Sequence, residues 1–394
     1  MKTKPTFLIL SFLIIHCSLY IAHATVRFVS HTGSSTPPYT SWETAADSIQ
    51  KCINFSVSGD TIIVANGVYY ESLVVDKYLW LIGSSMDSTV IDGTGLDIRT
   101  IRGLSDFHLQ GFQVKGIGLD TDSYCMSTLS NNTFINNCKF KNANICLFIG
   151  GSSGQIDNVF ISDCNRAILS FCGNDTCRPV ITNSIIIIEN TIDPAISFFD
   201  GGNPVITNNI ILGNGSSASG IDITFELNTI TIKNNIIAGF LRGEIKTATA
   251  TDTAIVENNV VMYQTSTFHG AIFAGGKANI RNNIVAYNRI GIDTYYGTVT
   301  EYNLFWQNEE NIIGIMSMDS TDIIADPMFV NDIFPAYDGN FDFHLQEYSP
   351  AIDAGDPNIL DVDGSRSDIG VFGGPGGEMY TYQDLQGHCA GVYN

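Results

Sequence analysis

A short asparagine-containing phrase recurs along the middle of this chain. Each copy has an apolar residue, a polar residue, one or two Asn and then two apolar residues. The copies start at Ile181, Ile206, Ile232, Val256 and Ile280, with a weaker copy at Thr300 and degenerate copies around Asn137 and Asn158. Successive copies are 20 to 26 residues apart, and a fixed period in this range is typical of a repeat protein.

The composition of each copy predicts β-strands. The copies are rich in β-branched residues, alternate over short runs and are bounded by Asn and Gly, as strands are. A helical repeat is the alternative, but no copy contains ten residues with an apolar spacing of 3.6. Asn suits a sharp bend because it tolerates the left-handed backbone conformation, and its amide can bond the Asn of the next turn. We therefore predict an all-β solenoid of parallel strands.

A second column of residues supports this prediction. After each Asn phrase comes a small residue, or Glu in one copy, and then Ile. The six isoleucines are Ile168, Ile196, Ile221, Ile245, Ile272 and Ile292. Stacked turns would place them in one inward ladder, which at about 25 cal/mol per Å² of buried apolar area is the main stabilising contribution. A single turn could not bury such a residue alone.

The bulk composition fits a chain that is buried along its whole length, with 44% hydrophobic and only 15% charged residues. The 40 acidic and 19 basic residues give a net charge of -21. Such a surface repels nucleic acid and anionic membranes, so we predict no nucleic-acid partner. It also repels polyuronate chains unless calcium intervenes. We expect a monomer.

Residues 1–24 have the pattern of a secretory signal peptide. Lys2 and Lys4 precede an apolar run from Phe7 to Ile15, and Ala24 ends a small-residue cleavage motif. The apolar run is too short to span a bilayer, and no later stretch is apolar for 18 residues. We therefore predict a secreted or cell-surface protein without a membrane span.

Cysteine usage is compatible with export. Cleavage after residue 24 would remove Cys17 and leave eight cysteines: Cys52, Cys125, Cys138, Cys146, Cys164, Cys172, Cys177 and Cys389. An even number allows disulfides, and a Cys172–Cys177 pair is the favoured one, although spacing alone does not fix connectivity. Stacked, reduced core cysteines are an equal alternative for Cys138, Cys146 and Cys164.

The chain divides into one long domain with terminal additions. We predict a strand and helix cap over residues 25–58, coils over 59–325, a last coil and C-terminal cap over 326–374, and a short tail over 375–394. About ten coils would fill this length. The cap helix is predicted from Ser41 to Ile53, because apolar residues there recur at helical spacing.

Both ends of the patterned region contain distinctive motifs. The N-terminal end has VRFVSHTGSS from Val26, then SWETAADSIQKCI, GDTIIVANGVYYESLVV and LWLIGS. The C-terminal end has DPMFV from Asp326, SPAIDAG from Ser349 and DVDGSRSDIG from Asp361. Together they resemble exported bacterial right-handed parallel β-helix proteins of the pectate-lyase-like superfamily. The resemblance implies the fold but not an activity, because that superfamily includes lyases, hydrolases, adhesins and proteins of unknown role.

Candidate functional residues lie next to the inward isoleucines, where alternation turns side chains outward. The first outward column is Leu169, Ser197, Asp222, Lys246, Phe273 and Asp293. The second is Phe171, Phe199, Thr224, Ala248, Gly275 and Tyr295.

The resemblance implies that a polysaccharide would lie along such a face, with a Lys or Arg as base and calcium or a basic residue neutralising a uronate carboxylate. Asp222, Lys246 and Asp293 are then candidates for a metal-and-base group. Phe199, Phe273 and Tyr295 are then candidates for sugar stacking. The alternative is a solvated face on which Asp222 and Lys246 pair, a contact worth under about 1 kcal/mol.

Two further sets of carboxylates are candidates, one for hydrolysis and one for calcium binding. A hydrolase needs two or three carboxylates around one bond, and the column candidates are Asp200, Asp222, Glu226 and Asp293. Asp361, Asp363 and Asp368 resemble a small calcium loop, although their spacing departs from the EF-hand pattern. The alternative for this last set is a capping turn in which Arg366 pairs with the acids.

The sequence contains no identifiable catalytic signature. We therefore predict an extracellular β-helix protein that presents an elongated face for carbohydrate or surface binding. The alternative is a calcium-assisted polysaccharide lyase, or a glycoside hydrolase, acting on extracellular polysaccharide.

Overall fold

The computed structural model of the protein describes residues 24–119, 122–151, 153–171, 177–189, 191–199, 202–214, 218–224, 229–247, 253–332, 341–380 and 382. The backbone winds as a solenoid whose turns lie one on another. Each turn contributes a strand to each of three faces, called A, B and C, and the pairings along these faces are parallel. The all-β prediction is confirmed, and the stack has close to the ten turns that the repeat predicts.

The strands of the three faces follow one another in chain order. Face A contains β1 (Val26–Val29), β2 (Thr61–Val64), β5 (Leu79–Gly83), β8 (Phe107–Gln110), β13 (Val180–Thr182), β16 (Val205–Thr207), β19 (Ile230–Lys233), β22 (Ala254–Glu257), β25 (Ala278–Arg281) and β28 (Thr298–Glu301). Face B contains β3 (Gly67–Tyr69), β6 (Thr89–Asp92), β9 (Gln113–Gly118), β14 (Ile185–Glu189), β17 (Ile210–Asn214), β20 (Ile236–Ala238), β23 (Val260–Met262), β26 (Ile284–Ala286), β29 (Leu304–Trp306) and β31 (Ile323–Ile324). Face C contains β4 (Leu73–Val75), β7 (Arg99–Gly103), β10 (Tyr124–Thr128), β15 (Ile196–Phe199), β18 (Ser219–Thr224), β21 (Gly243–Thr247), β24 (Ile272–Ala274), β27 (Ile290–Thr294) and β30 (Glu310–Gly314). Two long strands, β11 (Thr133–Gly150) and β12 (Gln155–Phe171), bend through all three faces.

The predicted isoleucine ladder forms the centre of the core. The six isoleucines pair in register from one turn to the next along face C and are fully buried. They belong to one hydrophobic cluster that extends from Val29 to Phe305. The inward column of isoleucines that the sequence predicts is therefore present in the core of the solenoid.

The two Asn positions of each phrase have different functions. The first Asn has a positive φ, between 51° and 58° at Asn158, Asn183, Asn208, Asn234, Asn258 and Asn282, and so makes the bend between faces A and B. The second Asn points inward and forms a ladder. The Nδ2 atoms of Asn209, Asn235, Asn259 and Asn283 each donate to the Oδ1 atom of the next ladder Asn at 3.0 Å.

The N-terminal helix is shorter than the sequence predicts. Helix α1 spans Ile49–Phe55, and its N-cap is Ser48, whose side chain accepts from the backbone N–H of Lys51. The predicted residues before it, from Ser41, form turns instead. The buried side of the helix packs against β1, β2 and β4. Its function as a cap stays a prediction.

The C-terminal segment folds back along the side of the solenoid. It contains an antiparallel pair, β32 (Phe329–Asn331) with β33 (Asp342–Leu345), and then runs along the bends made by the first Asn of each phrase. Asn234 donates to the carbonyl oxygens of Val371 and Gly373, and Asn258 donates to that of Asp368. This segment therefore fastens several turns together.

The structure describes most of the cysteines but not the predicted signal peptide. Cys52, Cys125, Cys138, Cys146 and Cys164 are free and buried, so the reduced alternative holds for the stacked cysteines. Cys177 is disulfide-bonded, and its partner lies outside the described residues, as do Cys172 and the predicted signal peptide over residues 1–23. None of the described helices has the length and apolar character needed to cross a membrane.

Candidate functional site

Face C carries the outward column that the sequence predicts. Leu169, Ser197, Asp222, Lys246, Phe273 and Asp293 pair in register on successive strands. Because neighbouring strands lie about 4.8 Å apart, this column is about 24 Å long. Toward the N-terminus it continues through Phe148 and Ser127 to Arg102.

Lys246 and Asp222 form the charged pair at the centre of the column. The Nζ atom of Lys246 lies 3.3 Å from Oδ2 of Asp222, and both side chains are partly shielded from solvent. The other carboxylate oxygen of Asp222 is buried and has no hydrogen-bond partner among the described residues, and the same holds for Oγ of the neighbouring Ser197. The accessible polar groups at the centre of the column are therefore those of the ion pair, because the side chains of Lys246 and Asp222 remain 31% and 18% exposed.

Asp293 does not join this pair. It lies three strands away from Asp222, about 14 Å at the usual strand spacing, and Phe273 lies between it and Lys246. Its carboxylate instead faces Nδ1 of His269 at 3.7 Å, and burial raises the pKa of Asp293 above its ordinary value. Catalytic functions for Asp222, Lys246 and Asp293 stay predictions.

His269 lies beside Asp293 and the ring of Phe273. It lies in the connection before β24, outside the repeated phrase. Connections between strands differ in length from turn to turn, so periodicity gave no signal for this contact. His108 packs between the rings of Trp80 and Phe134 on face A.

The outward column is less solvated than a simple sheet face. Ser197 is fully shielded, and Leu169 and Asp293 expose only 7% and 6% of their surfaces. Asp222 and Lys246 keep more contact with solvent. The accessible part of the column therefore consists of separate patches, which lie around Phe148, around the Asp222–Lys246 pair and around Phe273.

The three predicted sugar-stacking residues differ in how their rings are presented. Phe199 stacks on Phe171 with ring centroids 5.3 Å apart and an interplanar angle of 21°, so each ring covers one face of the other. Phe273 and Tyr295 are 5.5 Å apart at 70°. Tyr295 is 46% exposed and is perpendicular to its neighbour, which leaves it free to present a ring face to a ligand.

The acids Asp361, Asp363 and Asp368 are occupied by internal hydrogen bonds. Asp361 accepts from the backbone of Asp368 and Gly374, and Asp363 accepts from the backbone and hydroxyl of Ser365. These contacts favour a turn that orders the C-terminal segment. A calcium site here stays a prediction.

Asp368 and Arg366 also form hydrogen bonds within the C-terminal segment. Asp368 accepts from the backbone of Asp353 and from the hydroxyl of Tyr382, and burial raises its pKa to about 7. Arg366 donates to the carbonyl oxygens of Ala354 and Gly355, so the pairing of Arg366 with the acids is not what the structure shows.

Three of the remaining candidates, Asp200, Glu226 and Ala248 of the second outward column, lie outside the described residues. Within the part of the chain that the structure describes, no three His, Cys, Asp or Glu side chains are grouped as a metal site requires.

Solved structures have folds similar to that of this chain. The pectate lyase Pel9A superimposes with a TM-score of 0.54 at 15% identity, covering 88% of this chain and 96% of Pel9A. The fold is a right-handed parallel β-helix. A mutant of the PL6 family alginate lyase AlyGC is less similar, with a TM-score of 0.42 at 13% identity over 77% of this chain and 54% of AlyGC. No protein-family model matches the sequence, and no curated protein matches it.

Proposed function

We propose that this protein binds polysaccharide along face C. The observation that carries the proposal is the pair of Asp222 and Lys246, whose side chains remain 18% and 31% exposed at the centre of this face. A carboxylate accepts hydrogen bonds and an ammonium group donates them. Sugar hydroxyl groups both donate and accept, so they suit both members of the pair.

The aromatic rings along the same face support a sugar as the ligand. Phe171 and Phe199 lie on one side of the Asp222–Lys246 pair, and Phe273 and Tyr295 lie on the other. Ligand sites combine apolar and aromatic surfaces with a few convergent polar groups, and a linear arrangement suits a chain of repeated units. The likeness in fold to a pectate lyase, which acts on a polysaccharide, agrees with this proposal.

The test is binding of the full chain to a panel of neutral and acidic polysaccharides, measured by affinity gel electrophoresis. We expect Tyr295→Ala and Asp222→Asn each to weaken binding about threefold to tenfold, which corresponds to about 0.7–1.4 kcal/mol. Tyr348→Ala is the matched control, because Tyr348 is 71% exposed on the C-terminal segment. Equal binding by all three variants and the unmodified chain would contradict the proposal.

A polysaccharide lyase is the second candidate, and the position of Lys246 is the observation in its favour. Lys246 is the lysine of the outward column, and a lysine acts as a base only after it has left its ion pair and lost its proton. The same panel, with and without added calcium, is assayed for unsaturated ends and for new reducing ends. Unsaturated ends that disappear in Lys246→Ala would identify a lyase, and reducing ends alone would indicate a hydrolase.

We also propose that the protein is secreted or held at the cell surface. The proposal is supported by the charged, apolar and small-residue pattern of residues 1–24. N-terminal sequencing of the protein recovered outside the cell tests it. A chain that begins at Thr25 is expected, and a chain that keeps Met1 inside the cell would contradict the proposal.

A further inference from the structure

Two arginine side chains on face C lack acidic partners. Strand β7 carries Arg99, which is half-buried, and Arg102, which is exposed. Most of the described cations form ion pairs, as Lys246 does with Asp222. Neither Arg99 nor Arg102 forms an ion pair with a described carboxylate. In a chain with 40 acidic residues, these two positive charges are therefore available to an external anion.

Arg99 and Arg102 line one cavity together with aromatic residues. The cavity has a volume of about 150 Å³ and is also lined by Tyr124, Ser127 and Phe148. The Cζ atom of Arg99 lies 5.3 Å from the centroid of the Tyr124 ring. The rings of Tyr124 and Phe148 are 5.9 Å apart at 74°.

The cavity belongs to the outward column of face C. Arg102, Ser127 and Phe148 occupy successive strands of that column, which then continues to Leu169 and to Ser197. At the usual strand spacing, Arg102 is about 29 Å from Lys246. A ligand that lies along face C would therefore meet the arginines at the N-terminal end of the face.

The chemistry of this cavity suits an anionic sugar unit. A guanidinium group binds a carboxylate or a sulfate through parallel hydrogen bonds and holds its charge at every physiological pH. Perpendicular rings offer apolar surface to the carbon-bound hydrogens of a sugar. A cavity of this volume is smaller than that of a complete ligand site, so it accommodates part of a longer chain.

We propose that Arg99, Arg102, Tyr124 and Phe148 form a subsite for sugar units that carry a carboxylate or a sulfate group. The proposal rests on the proposed binding of polysaccharide along face C and adds the class of ligand to it. Asp97 lies two residues before Arg99, and its carboxylate accepts from the backbone N–H of Arg99 but forms no ion pair with the guanidinium. The net charge of -21 repels polyanions at long range, and binding then depends on these local cations.

The experiment compares the full chain with two double variants that lose the same charge. Arg99→Gln with Arg102→Gln removes the subsite cations. Arg178→Gln with Lys277→Gln is the control, because both of these exposed side chains precede face A strands. Binding to polygalacturonate, dextran sulfate and neutral dextran is measured by isothermal titration calorimetry at two salt concentrations. Thermal unfolding of each variant is measured beside it, so that a folding defect is recognised.

We expect the subsite variant to lose about tenfold or more in affinity for an anionic polymer, because charge-assisted hydrogen bonds are stronger than neutral ones. The control variant should lose much less. Preference between the carboxylated and the sulfated polymer identifies which anion the subsite takes.

Other outcomes overturn the inference in distinguishable ways. Binding to neutral dextran alone, or an equal loss in both double variants, would contradict the anionic subsite and leave polysaccharide binding in place. Absence of binding to every polymer, together with native thermal unfolding, would contradict the anionic subsite and the proposed function together.

Discussion

At the scale of single residues, the two asparagines of a phrase stabilise the fold in different ways, so substituting them should change stability by different amounts. Nδ2 of Asn209 donates to the carbonyl oxygens of Ile181 and Thr207 and to Asn235, and its Oδ1 accepts from the backbone of Ser184. Asn208 has a φ of 58°, and its side chain is exposed. The side chain of Asn209, the second Asn, satisfies buried backbone groups, whereas Asn208, the first Asn, supplies the backbone conformation of the bend.

We predict that Asn209→Ala destabilises the protein by about 3–5 kcal/mol, because several buried polar groups lose their partners at a cost of about 1–3 kcal/mol each. Asn208→Gly should change stability by less than about 1 kcal/mol, since Gly adopts a positive φ readily. Urea unfolding followed by circular dichroism measures both. Similar costs for the two variants would show that the ladder is not a main source of stability.

The sequence predicted both properties of Asn but not how they are divided between neighbouring positions. A left-handed bend and a bond to the next turn were both expected at one place in the phrase. Whether a side chain at the bend points inward depends on the path of the backbone through the turn, which periodicity does not contain. The Asp222–Lys246 pair was predictable, because a constant phrase fixes the register of the strands that follow it.

Other site residues were not predictable for a related reason. His269 lies in a connection of variable length, and Arg99 and Arg102 lie in an early turn that lacks the Asn phrase. Neither place has a register that can be read from the repeat. Their chemistry becomes visible only when the turns are stacked.

At the scale of elements, the N-terminal helix is shorter than its apolar pattern predicts, because the residues before it form backbone hydrogen bonds with other segments. The carbonyl oxygens of Glu43 and Ala45 accept from the backbone of Ser34 and Ser35, and the backbone of Ala46 pairs with that of Phe28. Backbone groups engaged in these bonds cannot also belong to a helix. The helix therefore begins only at Ile49, although the apolar spacing starts earlier.

The free energy of unfolding should depend on pH through a buried carboxyl of the C-terminal segment. Burial raises the pKa of Asp368 to about 7 from an ordinary value of 3.8, so the folded protein binds a proton more tightly than the unfolded chain does. The free energy of unfolding therefore falls as pH rises from about 4 to 7 and changes no further through this group. Asp361, whose pKa burial also raises, acts in the same direction.

We predict that Asp368→Asn stabilises the protein at pH 8 by about 1–3 kcal/mol, given that one pKa unit corresponds to about 1.4 kcal/mol, and that this gain disappears at pH 4. Thermal unfolding of the variant and the unmodified chain at both pH values measures it. Asp363→Asn is the control, because hydrogen bonds from Ser365 lower the pKa of that exposed carboxyl. A gain that is equal at both pH values would refute the assignment to ionisation.

At the scale of the whole molecule, stability comes from contacts between turns. Ile245 is buried between Ile221 and Ile272, and each turn completes the core of its neighbours. This is the part of the fold that sequence predicted best, because an inward residue recurs with the period of the repeat. The acidic charge, by contrast, carried no information about the fold.

We predict that Ile245→Ala costs about 2–5 kcal/mol, as large-to-small substitutions of buried isoleucine do. Ile185→Ala is the matched control, because Ile185 lies on an outward position of face B and is 39% exposed. It should cost less than about 1 kcal/mol. Equilibrium unfolding in urea compares the two, and equal midpoints for both variants would contradict a core built on the inward ladder.

The attachment of the C-terminal segment has a consequence for the order in which the molecule is completed. The backbone N–H of Gly370 donates to the carbonyl oxygen of Asn282, and Nδ2 of Asn234 donates to the carbonyl oxygens of Val371 and Gly373. The bends at Asn234 and Asn282 are synthesised before residues 370–373, so these groups gain their partners only after the later segment has been made. The turns are thus held together by residues that are synthesised after them.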